Sequence, residues 1–140
     1  MEQIDHTGDG GLRVTAASLP RLLTVCAEQM VRFCCPDGEI RSTVTRAVTI
    51  EGHDLVELLV GWLAEINTLM SLRYELYGRF HISELKTEGE PPLRLAGEVS
   101  GEPLTPQRHR IETEIKAVTY HEAYVRETAS GWQCQVIFDL

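Results

Sequence analysis

The hydrophobic residues change period near residue 75, and this switch constrains the fold more than any other feature of the chain. Before it, apolar residues recur at three- and four-residue steps in two stretches; after it the helical period is gone and four strand-like runs follow. The first stretch carries Leu19, Leu22, Leu23, Cys26, Ala27, Met30, Val31 and Cys34. Ser18 can cap this helix, Pro20 is tolerated in its first turn, and Pro36-Asp37-Gly38 ends it. The second starts at Asp54, with Glu57 three residues on as in a capping box, and places Leu55, Leu58, Leu59, Trp62, Leu63, Ile66, Leu69 and Met70 on its apolar positions. Each helix is expected to show a single apolar stripe and to lie on one face of a sheet.

Strands are expected at 11–17, where Leu12, Val14 and Ala16 alternate with Arg13 and Thr15, and at 41–51, which is rich in Thr and Val. The four later runs are YGRFHISEL, PLRLAGEVSG, EIKAVTYHEAYVRE and GWQCQVIFDL, with Ser130-Gly131 as a hairpin turn before the last. Short connections between consecutive strands argue antiparallel pairing. The reading is an α+β, two-layer fold: two amphipathic helices packed on one face of a mostly antiparallel sheet, in a single domain over residues 1–140.

Charge narrows the function classes. With 13 basic against 21 acidic residues the net charge is −8, which does not suit direct high-affinity nucleic-acid binding. No apolar run approaches the ~18 residues of a spanning helix, and MEQIDHTGDGG is acidic where a signal peptide would be basic and then apolar. No membrane role and a cytoplasmic location are expected. Cys26, Cys34, Cys35 and Cys134 form no C-x-x-C and are read as reduced thiols.

Three places could carry chemistry. In Asp5-His6-Thr7-Gly8-Asp9-Gly10-Gly11, two carboxylates and an imidazole stand among glycines that would let them converge on a small ligand; a turn with Asx-type caps is the alternative. Asp139 beside the terminal residue Leu140 brings negative groups together, either as a solvated strand edge or offset by a cation. Arg108-His109, in the Pro-bearing loop 103–113, could grip an anion or a partner's carboxylate, or be simply solvated. Lys116 reads as strand-face decoration.

With DHTGDGG, the helix segment Trp62-Leu63-Ala64-Glu65-Ile66-Asn67-Thr68-Leu69, EIKAVTYHEAYV and the closing VIFDL, the chain resembles the archease family over nearly its whole length. Gly8 and Gly10 depart from that pattern, standing where the family usually has Ala and Ile or Val. The resemblance implies a protein that is not itself an enzyme. It would be the accessory activator of a GTP-dependent RtcB-type RNA ligase, promoting guanylylation and multiple turnover in tRNA splicing or RNA repair. It also implies a divalent-cation site, calcium with magnesium as the alternative, at Asp9 and Asp139; the repulsion between negative groups at the end of the last strand adds the Leu140 carboxylate, and assistance from Asp5 or His6 is left open. Arg108 and His109 become partner-binding candidates. Carboxylate oxygens without paired Cys or His suit such hard cations. A metal-dependent hydrolase and a chaperone-like interaction module without a metal role are the competing readings.

Overall fold

A computed structural model describes the backbone of residues 2–6 and 9–140, and the side chains of Gln3 and of residues 10–140. The elements follow in the order β1 (Glu2–His6), β2 (Asp9–Ala16), α1 (Leu19–Cys34), β3 (Val44–Gly52), α2 (Leu55–Arg73), β4 (Glu75–Lys86), β5 (Leu93–Pro103), β6 (Ala117–Thr128) and β7 (Gly131–Asp139). Both helices start where capping chemistry places them. Ser18 Oγ accepts from the Arg21 N–H at 3.3 Å and Asp54 Oδ1 from the Glu57 N–H at 2.8 Å. The second helix ends on Tyr74, a left-handed residue (φ 52°) whose N–H bonds the Met70 carbonyl.

The α+β class, the two helices and the antiparallel pairing are as expected, but the strands divide between two sheets. One has the order β1-β2-β7-β6, the other β3-β5-β4, and every pairing within them is antiparallel. β1 has no counterpart among the expected strands. Its sequence, EQIDH, has one aliphatic residue and no alternation, so only its pairing to β2 makes it a strand.

The helices are also more enclosed than a single stripe implies. α1 packs on β2 and β7 of one sheet and β4 of the other, while α2 packs on β3, β4 and β5 and also on β6. Hence three successive residues of α2, Leu58, Leu59 and Val60, are all buried, and the Gly61 position faces Ile50 so closely that a Cβ there would stand 2.7 Å from the isoleucine methyl. α2 is long and apolar enough by length and composition to cross a membrane, with a mean hydropathy of 1.4. That apolarity matches a helix facing two sheets and α1. One continuous core joins Leu12 and Val14, Leu22, Met30, Trp62, Leu63, Leu95, Val99, Val136 and Phe138 across both sheets.

The cysteines belong to this interior. All four are buried free thiols, and the Cys26 and Cys134 sulfurs lie 3.0 Å apart. Burial pushes the Cys34 thiol up to about 12, and the hydrogen bond with Cys134, followed by burial, raises Cys26. Thiols held protonated in this way are poor nucleophiles and poor metal ligands.

Candidate functional site

β2 and β7 are the central strands of the four-stranded sheet, and their register sets Asp9 directly opposite Asp139. On the other side of β7, Asp139 faces Ala117 of β6, and its carbonyl accepts the Lys116 N–H at 2.8 Å; on the far side of β2, Asp9 faces His6 of β1. His6, Asp9, Asp139 and Ala117 thus form one row across all four strands, and Asp5 stands opposite Gly10 one step along. The two ends of the row come from residues far apart in the chain.

Two local features hold this row. A Cβ at Gly11 would lie 2.4 Å from the Val136 carbonyl oxygen, so only glycine lets β2 approach β7 here. Phe138 is fully buried with its ring 5.4 Å from that of Phe33, which fixes the end of β7 under the last turn of α1. Asp139, next along, is exposed, and Leu140 is half-buried against the core. The expected ligand role of Asp9, and any assistance from Asp5 or His6, rest on side chains outside the described residues. Among the described residues no group of three or more His, Cys, Asp or Glu converges. The donor chemistry at the row is carboxylate oxygen, which fits a hard divalent cation.

The loop after β5 carries the other candidates, and it is built around Glu102. This carboxylate is buried, 5% exposed, yet Oε2 accepts the Arg41 N–H at 2.5 Å, Oε1 pairs with Arg108 Nη1, and His109 Nε2 stands 3.5 Å from Oε2. Burial works against its charged form, but the Arg41 N–H and the Arg108 guanidinium outweigh it and hold Glu102 below the usual carboxylate range. His109 is itself enclosed, its side chain 0% exposed. Its Nδ1 accepts the Thr105 N–H at 2.9 Å, which leaves the proton on Nε2, a buried nitrogen that makes no hydrogen bond although Glu102 Oε2 is 3.5 Å away. Its N–H and that of Arg108 close a turn onto the Thr105 carbonyl.

The structure therefore separates the two loop residues expected to meet a partner. Arg108 keeps 35% of its side chain exposed, while His109 faces inward and shapes the loop. Sequence reasoning missed Glu102, whose signal was faint: a charged residue directly after the buried Gly101 at a strand end. A similar buried pair, Arg46 on Glu75 at 3.0 and 2.6 Å with the Tyr77 hydroxyl donating to the same carboxylate at 2.6 Å, stiffens the start of β4.

Arg108→Ala is accordingly expected to do more than a surface change. It withdraws one partner from a buried carboxylate and should lower the melting temperature by about 3 °C or more, with Arg108→Lys intermediate. A differential scanning calorimetry shift within about 1 °C would show that Glu102 does not depend on this pair.

Comparison with known proteins gives the family. The family model of the archease proteins matches residues 1–140. The chain belongs to the archease family. It is 35% identical over 139 residues to the protein archease of Methanopyrus kandleri, covering 99% of this chain and 98% of that one. It is 32% identical to that of Methanosarcina acetivorans, covering 99% and 94%. The solution structure of a Methanobacterium thermoautotrophicum protein superposes with a TM-score of 0.84 at 27% identity, covering 99% of this chain and 97% of that one. A Thermotoga maritima crystal structure, described as an archease and possible chaperone, shares the fold at a TM-score of 0.64 and 18% identity, covering 98% and 94%. The Trp62 segment of this archease is part of the core: Trp62, Leu63 and Ile66 are fully buried, and Trp62 Nε1 donates to the Leu23 carbonyl at 3.0 Å.

Proposed function

We propose that this protein is the activator of a GTP-dependent RtcB-type RNA ligase, acting in the cytoplasm by docking on the enzyme rather than by catalysis of its own. Membership of the archease family supports the reading, and the observation that carries it is the pairing of Asp9 with Asp139 in the middle of a sheet. Two acidic residues placed face to face repel one another unless a cation or a basic group offsets them. Asp9 and Asp139 would hold a divalent cation, calcium or magnesium, which would supply positive charge and vacant coordination positions at the surface. Because Asp139 is exposed, a partner's oxygen groups could complete the shell. Arg108, with its guanidinium half-exposed beside Glu102, is the residue proposed to touch the partner, and His109 holds it in place.

The test is a turnover assay. A cognate ligase with GTP, Mn²⁺ and RNA bearing a 3′-phosphate is expected to pass from a single round to many when this protein is added. Incubated alone with generic phosphoesters, the protein should release no product; hydrolysis there would move the reading to a metal-dependent hydrolase. A chaperone-like interaction module is the second reading, favoured by the exposed Tyr74, which lines a groove of about 290 Å³ together with Met70, Leu76, Leu104 and Ile111. It would replace the first if the protein prevented ligase aggregation without raising turnover.

A further inference from the structure

A second concave surface lies between the end of α1, the segment 36–42 and the start of β4, with a volume of about 990 Å³. It forms because β4 carries an extra residue: the register with β5 shifts between Tyr77 and Arg79, and Gly78 at the shift lets Ile40 come in so that a Cβ there would be 3.0 Å from its Cβ. The floor is apolar, with Val31 buried and Ile40 half-buried. Three arginines line it, Arg32 from α1, Arg41 from the segment and Arg79 from β4, and all three are exposed.

Among the described residues, none of the three guanidinium groups has a carboxylate partner: Arg21, Arg46, Arg94 and Arg108 are in ion pairs, whereas Arg32, Arg41 and Arg79, like Arg73 and Arg110, are in none. Arg32 also lies in the last turn of α1, where a cation offsets the carbonyl end of the helix. Two glutamates share the lining: Glu28, whose carboxylate is held by Arg21 at 3.5 Å, and Glu39, whose carbonyl accepts from Arg108. In a chain of net charge −8, three guanidinium groups in no ion pair gather around one groove with an apolar floor, which gives it a local positive excess that suits an anion.

We propose that this groove binds a compact polyphosphate, such as the phosphate chain of a free nucleotide. Guanidinium forks bond phosphate oxygens two at a time, so three of them suit a group with several oxygens better than a single carboxylate. The volume is at the upper end of that of small-molecule sites, and the Val31–Ile40 floor could take an apolar ring. An extended nucleic acid is disfavoured, because beyond the groove it would meet a predominantly acidic chain. The site is separate from the Asp9–Asp139 row and does not depend on the ligase reading.

The experiment is isothermal titration of the full chain with inorganic triphosphate and with ATP, in EDTA so that no divalent cation bridges to the acidic row. Triphosphate is expected to bind, and the double variant Arg41→Gln/Arg79→Gln to weaken it by about tenfold or more. Arg94→Gln, at a half-buried arginine on β5 away from the groove, should bind as the wild type does. Tighter binding of ATP than of triphosphate assigns the source as a nucleotide, and equal binding assigns it as free polyphosphate. Melting curves check that the variants fold, which the exposure of Arg41 and Arg79 favours. No heat and no thermal shift at about 10 mM ligand, or undiminished binding by the folded double variant, would overturn the proposal.

Discussion

Asp139→Ala is expected to remove both the calcium-induced rise in melting temperature and the activation of the ligase, and Asp9→Ala is expected to do the same. A ligand that binds only the folded state stabilises it by about 2.7 kcal/mol at a hundredfold excess over its dissociation constant, which corresponds to roughly 5–10 °C for a chain of this size. The two substitutions are equivalent because the ladder sets the residues opposite one another, so either change leaves half a site. Asp5→Ala should do less, since Asp5 stands opposite Gly10, one step off the row. Without cation, both variants should melt no lower than the wild type, because each removes a repelling carboxylate. A wild-type melting curve unmoved by calcium and magnesium, together with full activation, would transfer the function to the interaction-module reading.

The largest effect on stability is expected from Trp62→Ala. The indole is fully buried, crosses the Phe80 ring at 6.4 Å and 78°, and donates to the Leu23 carbonyl on the neighbouring helix. Truncating a buried tryptophan costs about 3–5 kcal/mol, so thermal unfolding should shift down by more than about 10 °C. Trp62→Phe should recover most of the packing but leave the Leu23 carbonyl without this donor, giving an intermediate value. If Trp62→Ala melted near the wild type yet failed to activate the ligase, the helix segment would be a contact surface and its burial here misleading.

What could be read from the sequence is what depends on local period and local caps. Ser18 and Asp54 accept the N–H groups three residues on, and the period change near residue 75 coincides with Tyr74, where α2 turns into β4. The resemblance puts Asp9 and Asp139 in one site, and the register sets them opposite one another. Features that depend on distant partners were out of reach. The run EQIDH acquires its strand character only from β2. A stripe of leucines on α2 tells which residues are apolar, not that a second sheet covers the remaining side, so one sheet was expected where two exist. Glu102 reads as a surface acid until Arg41, 61 positions earlier, is found donating to it. For the same reason the inward turn of His109 was not visible, because it follows from the acid it faces.

The β2–β7 ladder also dictates when this protein can become itself. Its side chains meet across long separations, as in Arg13 donating to Gln135 at 2.8 Å, 122 positions apart. During synthesis β2 can hold β1 and receive α1, but its other edge stays unpaired until almost the whole chain has left the ribosome. Pairing of such distant segments is slow, because the loop entropy is lost before the contact compensates. The acidic row therefore assembles only once β7 has joined β2, and any ion it took up would report that this pairing is made.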